Sequence, residues 1–162
     1  MRTILISKSD DLIIDLDELK DYFAISDSDE NIAACVQNAI EYIEMTTGSS
    51  LQKKTWKVIH DNDYIILPFG PVVKLLSITD KAGNDFSSYS LKRSRESLIV
   101  KLKRPTTVKI TYESGYSKQN LPNCLKKTIF ERFWDNYSKS FSNAFDDFSA
   151  YENNFSGVRV YG

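Results

Sequence analysis

The sequence predicts an α+β fold, with an N-terminal helical hairpin and a long C-terminal helix packed with a small antiparallel β-sheet or meander. Two patterns support this prediction: apolar residues recur at helical spacing near both ends of the chain, and short runs separated by turn residues occupy the middle. The chain has 162 residues, of which 41% are apolar and 27% charged, so it is long enough to bury a core as one soluble domain. We expect residues 1 to 140 to form that domain and residues 141 to 162 to form a tail or arm.

The N-terminal part contains two short apolar clusters and then two capped helices. Residues 4 to 6 and 12 to 14 are apolar, which predicts an edge strand or a mobile arm. Asp15 can cap a first helix with Glu18 reaching back to it, and residues 27 to 30 repeat the device for a second helix that ends at Gly48. The apolar faces of these helices consist of Leu16, Leu19 and Phe23, and of Ile32, Val36, Ala39, Ile40 and Ile43. Residues 15 to 48 are therefore predicted to form a helical hairpin.

Residues 55 to 113 change to the pattern of short strands with turns between them. We expect a strand that begins at Trp56, and further strands at residues 64 to 67, 72 to 79, 86 to 91, 98 to 102 and 107 to 113. Pro68 and Pro71 interrupt the series, because each proline lacks the N–H that a strand ladder needs. Residues 92 to 95 form a basic tip between two of these strands. The spacing suits a meander or a small barrel, so the pattern predicts a small antiparallel sheet.

The clearest joint between a strand and a helix spans residues 107 to 137. Val108, Ile110 and Tyr112 alternate with polar residues, as in a half-buried strand. Gly115 can adopt the positive φ of a tight exit, and Pro122 suits the first position of a helix over residues 121 to 140. The apolar stripe of this helix comprises Leu125, Ile129, Phe130, Phe133, Trp134, Tyr137 and Phe141. Since that stripe is too broad for one sheet contact, we expect either the helical hairpin or a second subunit to cover part of it.

Residues 141 to 162 carry aromatic side chains in an otherwise polar sequence. Such a series is typical either of a helix docked on the core or of an arm that anchors to a neighbouring protein. The alternation over residues 158 to 161 would suit an added strand. The candidate anchors of an arm are Phe145, Phe148, Tyr151, Phe155, Val158, Val160 and Tyr161.

Charge is segregated along the chain, although the net charge is only −1. Residues 1 to 50 contain 3 Lys and Arg against 11 Asp and Glu, whereas residues 51 to 139 contain 17 against 8. Opposite poles on one subunit favour head-to-tail association with copies of itself or with another charged surface. The alternative is an accident of a composition rich in Lys and Asp.

No constellation of residues in the sequence is typical of an active site or a cofactor site. His60 is the only histidine, and no glycine-rich phosphate loop occurs. His60 and residues 61 to 63 suit a hairpin turn better than a metal site, and the acidic residues at 27 to 30 suit a helix N-terminus. We therefore expect no catalytic residue, no metal and no cofactor. The alternative is a small metal-dependent nuclease that uses Asp61 and Asp63.

A cluster of basic residues raises the question of nucleic-acid binding. Its members are Lys92, Arg93, Arg95, Lys101, Lys103 and Arg104. Clustered cations neutralise phosphates, but no stacking aromatic residues are interleaved with these cations in the sequence. We favour a solvated hairpin tip or a contact with an acidic protein surface over a nucleic-acid-binding module.

The two cysteines and the apolar runs indicate the compartment. Cys35 and Cys124 each lie in a helical apolar pattern, so we expect buried free thiols in a reducing cytoplasm rather than a disulfide. The longest apolar runs are far shorter than a bilayer requires, so we expect no contact with a membrane.

The order of several short motifs resembles the head-tail connector, or adaptor, family of tailed phages, prophages and gene transfer agents. The match spans roughly residues 15 to 140, and no motif in it is catalytic. The motifs are Leu16-x-x-Leu19-Lys20, Tyr42 with Thr47-Gly48, the Trp56 strand, Leu67-Pro68-x-x-Pro71-Val72, Ser77-Ile78, Val108-x-Ile110-Thr111-Tyr112-x-x-Gly115-Tyr116 and Leu121-Pro122-x-x-Leu125-Lys126. The end of the last helix is more polar than the family pattern, and the aromatic tail after Phe141 has no counterpart in it.

The resemblance implies a structural virion protein that assembles in the host cytoplasm into a ring, commonly of twelve subunits, beneath the portal. Such a ring would extend the DNA channel without sequence specificity and would dock head-closure or tail proteins. As a hypothesis, Asp17, Glu18 and Asp21 on the acidic helices of one subunit meet the basic strands of the next. A second hypothesis is that residues 141 to 162 form an arm that becomes ordered on the portal.

Overall fold

The computed structural model describes residues 1–94 and 97–155, with side chains up to residue 139. It confirms the α+β fold, which consists of three helices that pack around one core and two antiparallel sheets that pack around another. In chain order the elements are β1 (Arg2–Lys8), α1 (Leu16–Phe23), α2 (Asp29–Thr47), β2 (Lys54–His60), β3 (Tyr64–Ile66), β4 (Val72–Asp80), β5 (Tyr89–Ser94), β6 (Ser97–Leu102), β7 (Val108–Ser114) and α3 (Asn123–Phe155).

The predicted antiparallel pairing is confirmed, and the strands divide between two small sheets, a division that the sequence pattern did not reveal. The larger sheet has the order β1-β2-β7-β4 and the smaller one has the order β3-β6-β5. The segment from Pro68 to Pro71 separates β3 in one sheet from β4 in the other, because prolines cannot continue a ladder. The predicted strand at 86 to 91 is shifted as well, since β5 begins at Tyr89. Alternation within each strand could not reveal which strands pair.

The inner faces of the two sheets enclose one apolar core, which we call the β core. It is formed by Val58, Ile65, Leu67, Val72, Ile78, Leu98, Val100, Leu102, Val108, Ile110 and Tyr112. The Tyr112 hydroxyl donates a hydrogen bond to the Pro68 carbonyl, and burial raises the pKa of Tyr112. The alternation predicted for Val108, Ile110 and Tyr112 is thus the buried face of the central strand β7.

Strand β1 is an edge strand and not an unattached arm. It pairs antiparallel with β2 from Arg2 opposite Ile59 to Lys8 opposite Lys54. The Lys8 ammonium donates to the Glu41 carboxylate of α2 at 2.8 Å, and this hydrogen bond lowers the pKa of Glu41. The N-terminus is therefore attached to both the larger sheet and the helices.

Both predicted helix caps of the hairpin are present. The Asp15 carboxylate accepts from the backbone N–H groups of Asp17 and Glu18, and the Ser28 hydroxyl accepts from that of Asn31. Gly48 ends α2 in the left-handed region with a φ of 64°. The Glu18 side chain does not complete a capping box, because its carboxylate pairs with Lys126 on α3.

Helix α3 is longer than predicted and continues to Phe155. It packs on the hairpin through buried side chains such as Ile129, Phe133 and Tyr137, in a helical core that includes Ile32, Val36 and Ile40. The hairpin therefore covers part of the broad apolar stripe, as expected. The structure describes no side chains from residue 140 onward and does not describe residues 156 to 162. The side chains of the predicted arm, residues 141 to 162, therefore lie outside the described part of the chain.

The two cysteines are free thiols, but only one of them contributes to the core. Cys35 on α2 is half-buried against the helical core, and burial raises its pKa. Cys124 is exposed, so its predicted burial is wrong. Leu121 and Leu125 on either side of it pack against the helical core, whereas Cys124 lies on the exposed side of the chain.

Gly115 joins the sheet to the chain that leads into α3 and tolerates no side chain. Its φ is 107°, and a Cβ would lie 2.1 Å from the Gln52 carbonyl oxygen. We predict that Gly115→Ala lowers the free energy of unfolding by about 3 kcal/mol or more, from combined overpacking and backbone strain. Chemical denaturation monitored by circular dichroism measures the change.

Gly83→Ala is the matched control for that substitution. Gly83 also has a positive φ, 96°, but a Cβ added there would have no heavy atom within 4 Å. The control should therefore lose only about 1 kcal/mol, from backbone strain alone. Equal losses in the two variants would show that the contact with Gln52 is unimportant.

Candidate assembly interfaces

A buried glutamate fixes the helices against the sheets. The side chain of Glu44, near the end of α2, is only 7% exposed. One carboxylate oxygen accepts from the backbone N–H groups of Leu51 at 2.7 Å and Gln52 at 3.1 Å, and the other accepts from the Lys54 ammonium on β2. These bonds determine how the chain turns from α2 into β2, and hence the relative position of the surfaces carried by helices and sheets.

Further backbone bonds strengthen this junction from the other side. The Ser50 N–H donates to the Gly70 carbonyl at 2.9 Å, and the Tyr116 N–H donates to the Leu51 carbonyl at 2.8 Å. The Trp56 indole N–H donates to the Ser50 hydroxyl at 3.1 Å. The segment between α2 and β2 is thus held by two distant parts of the chain, at Gly70 and Tyr116, and by Trp56 on the strand that follows it.

We expect Glu44→Gln to lower the free energy of unfolding by about 3 kcal/mol, because it leaves the largely buried Lys54 ammonium without a counter-charge. The matched control is Glu30→Gln on the same helix, where the side chain is exposed and the change should stay within about 0.5 kcal/mol. Urea denaturation of both variants measures the difference. A loss for Glu44→Gln no larger than that of the control would contradict the proposed role of the junction.

The predicted acidic residues lie on α1, and all three are exposed. Asp17, Glu18 and Asp21 occupy one side of this helix. Glu18 forms an ion pair with Lys126 of the same chain. Asp17 and Asp21 form no ion pair with any cation in the described part of the chain, so their charge is available to a partner.

Next to these carboxylates, α1 and α3 enclose an aromatic groove of about 480 Å³. Four aromatic side chains line it: Tyr22, Phe23, Phe130 and Trp134. Phe23 stacks on Trp134 with ring centroids 4.8 Å apart, while Tyr22 remains 68% exposed and Trp134 40% exposed. Three acidic residues, Glu18, Glu131 and Asp135, and two lysines form the rim. The lysines pair with rim carboxylates, Lys126 with Glu18 and Lys127 with Glu131. The sequence indicated the excess width of α3 at Trp134, but Tyr22 was missed because it lies off the apolar face of α1.

The basic residues divide between two faces of the smaller sheet. Lys92 and Lys101 are exposed and belong to the outer face, whereas Arg93 lies opposite buried Leu98 and donates to the Val72 carbonyl at 2.7 Å. Lys103 and Arg104 follow β6 and are exposed. Arg95 lies outside the described residues. The five described cations of the predicted cluster therefore do not form one patch.

The outer face of the smaller sheet also carries exposed apolar side chains. Tyr64 lies opposite Lys101, and Ile66 lies opposite Ile99, which in turn lies opposite Lys92. Tyr64 and Ile66 are each 51% exposed. We call these five residues the lysine–isoleucine face. The strands β3 and β6 are distant in sequence, and their pairing places the Tyr64 ring beside Lys101.

The residues considered as metal ligands are His60, at the end of β2, and Asp61 and Asp63, in the turn before β3. Asp61 and Asp63 are exposed, and the His60 Nε2 lies 3.3 Å from the Tyr64 carbonyl oxygen. Within residues 1–94 and 97–139, whose side chains the structure describes, no group of three or more His, Cys, Asp or Glu side chains is placed to hold a metal ion.

None of the described helices combines the length and the apolar character that crossing a bilayer requires.

No protein-family model matches the chain, and no curated protein matches it in sequence. Solved structures match it in fold. A chain in the neck of an empty gene transfer agent particle, computed with six-fold symmetry, superposes with a TM-score of 0.71 at 17% identity, over 85% of this chain and 84% of the other. Chains in the virion of a native gene transfer agent particle and in a native neck computed with twelve-fold symmetry give TM-scores of 0.69 at 18% and 19% identity, with the same coverage. The shared fold confirms the resemblance predicted from the order of the motifs.

Proposed function

We propose that this protein is a structural subunit of the neck of a tailed-phage-like particle, acting as a head-tail connector. The observation that carries the proposal is the fold match, which extends over 85% of this chain and 84% of a gene transfer agent neck chain. A match of that extent includes both helices and sheets rather than one common motif. The independent resemblance of the sequence motifs points to the same family.

The proposed assembly is a ring of identical subunits, with twelve as the expected number. In a ring, each subunit contacts its two neighbours through two different surfaces. The ring closes when the rotation between neighbouring subunits is a whole fraction of 360°. A neck structure with twelve-fold symmetry among the matches supports this number. In our proposal the ring binds the portal on one side and head-closure or tail proteins on the other, and DNA passes through it without sequence-specific contacts. No catalytic step and no cofactor is part of this role.

Deletion of the gene in a strain that produces the particles tests the function directly. We expect DNA-filled heads and separate tails to accumulate, because the component that joins them is missing. Electron microscopy of the lysate counts joined and separate structures, and expression of the chain from a plasmid should restore joined particles. A deletion strain that produces joined particles at the normal level would overturn the proposal.

The ring hypothesis predicts an effect of charge reversal on assembly. Changing Lys101, Lys103 and Arg104 to Glu should weaken self-association at low salt, because the acidic residues of α1 on the next subunit would then meet like charges. Lys74, Lys81 and Lys118, also exposed, form a control set with the same change in charge. Sedimentation velocity at two salt concentrations measures the association, and unchanged oligomer size in the first variant would count against the pairing.

The C-terminal arm hypothesis predicts a loss of binding to the portal. Removing residues 141 to 162 should abolish binding to the portal, because the aromatic candidate anchors of the arm go with them. The helical core should remain intact, because the buried residues of α3 in the described part of the chain, from Ile129 to Tyr137, all precede the truncation. Pull-down with the purified portal measures binding and circular dichroism checks folding. Portal binding that survives the truncation would exclude the arm as the anchor.

A further inference from the structure

We propose that the lysine–isoleucine face of one subunit docks in the aromatic groove between α1 and α3 of the next. This inference rests on the proposed function, because it identifies the two surfaces that form the ring contact. The groove presents Tyr22 and Trp134 to solvent beside the acidic face of α1. The lysine–isoleucine face presents Tyr64, Ile66 and Ile99 between Lys92 and Lys101.

The charges of the two surfaces are complementary. Asp17 and Asp21 form no ion pair beside the groove, and Lys92 and Lys101 form none on the sheet, among the residues that the structure describes. Each set therefore lacks an ion-pair partner in its own chain. Asp17 nevertheless lies close to Lys20, whose pKa is raised mainly by its hydrogen bond to Asp29 and, to a smaller extent, by the Asp17 carboxylate. Contact between the sets would neutralise both and would disfavour pairing of either surface with itself.

The apolar parts of the two surfaces also match in kind. Aromatic residues in a groove form the sort of pocket in which the central side chains of an interface bury most of their area. Ile66 and Ile99 lie side by side across neighbouring strands, so they present one compact aliphatic ridge. Both lysines of the groove rim already pair with glutamates, which leaves Asp135 on the rim and Asp17 and Asp21 exposed on the adjoining helix α1. This arrangement suits a ridge flanked by lysines better than it suits a nucleic acid, whose phosphates these three carboxylates would repel.

The positions of the surfaces make the contact head-to-tail. The groove belongs to the helical core and the lysine–isoleucine face belongs to the smaller sheet, so each subunit carries one of each. The Glu44 junction holds these parts in a fixed relation. Rigidly related, non-identical surfaces that bind each other generate a ring or a filament rather than a closed dimer.

Photo-crosslinking in assembled particles tests the proposal. We would replace Tyr22 with the photoreactive residue p-benzoylphenylalanine in a chain produced by the particle-forming strain, purify particles and irradiate them. The expected product is a species of twice the chain mass of 18.6 kDa, joined to a peptide from β3 or β6. The same label in place of Met45 is the control, since that side chain is 78% exposed on α2 and does not line the groove.

A second variant tests the same contact from the sheet. Ile66→Glu, at a position exposed in the subunit, should reduce the crosslink from position 22 at least roughly tenfold, because it replaces the apolar contact in the aromatic groove with a carboxylate close to Asp135 and the acidic face of α1. A crosslink to another virion protein, to a different part of a second copy, or to nothing would overturn the docking. Absence of the chain from purified particles would instead contradict the proposed function, so the two failures can be told apart.

Discussion

The structure depends on the hydrogen bonds that the Glu44 carboxylate makes at the junction between α2 and β2. A buried carboxylate with two backbone donors and a lysine is stable only in one geometry, because losing any partner leaves a charge without compensation. The junction therefore specifies one arrangement of helices relative to sheets. For the proposed ring subunit, which would present two surfaces at a fixed angle, that specificity matters more than the stability of the pair itself.

The helical core and the β core are both apolar, yet the segments that join them are polar and tightly packed. Gly115 approaches Gln52 so closely that a methyl group would collide with the backbone, and Ser50 and Tyr116 bond to chain on the other side of the joint. Polar contacts of this kind are directional, whereas apolar packing alone would tolerate sliding. In the proposed ring subunit, these directional contacts oppose movement of the two cores relative to each other.

Sequence reasoning predicted what depends on local chemistry. The caps at Asp15 and Gly48, the alternation of β7 and the positive φ of Gly115 follow from the preferences of single residues, and all are present. The division into two sheets was missed because it depends on the pairing of β3 with β6, which no local pattern encodes. Cys124 was misplaced because an apolar pattern near the start of a helix does not reveal whether a partner element covers it.

For the candidate interfaces, too, local sequence patterns predicted only part of what the fold brings together. Asp17, Asp21, Lys92 and Lys101 could be selected from charge alone, but their apolar neighbours could not. Tyr22 becomes part of a groove only when α1 lies against α3, and Ile66 joins Ile99 only through the smaller sheet. Arg93 shows the converse, since a residue chosen for its charge bonds to the Val72 carbonyl of its own chain. A surface is a property of the fold, whereas a cap belongs to a short stretch of sequence.

Cryo-electron microscopy of the neck of particles from the parent strain tests the central claim most directly. We expect a ring at the head-tail junction into which this α+β subunit fits, with its helices and both sheets resolved and with adjacent copies in contact. A complete neck whose density is accounted for by other proteins, with no position for this fold, would contradict the claim.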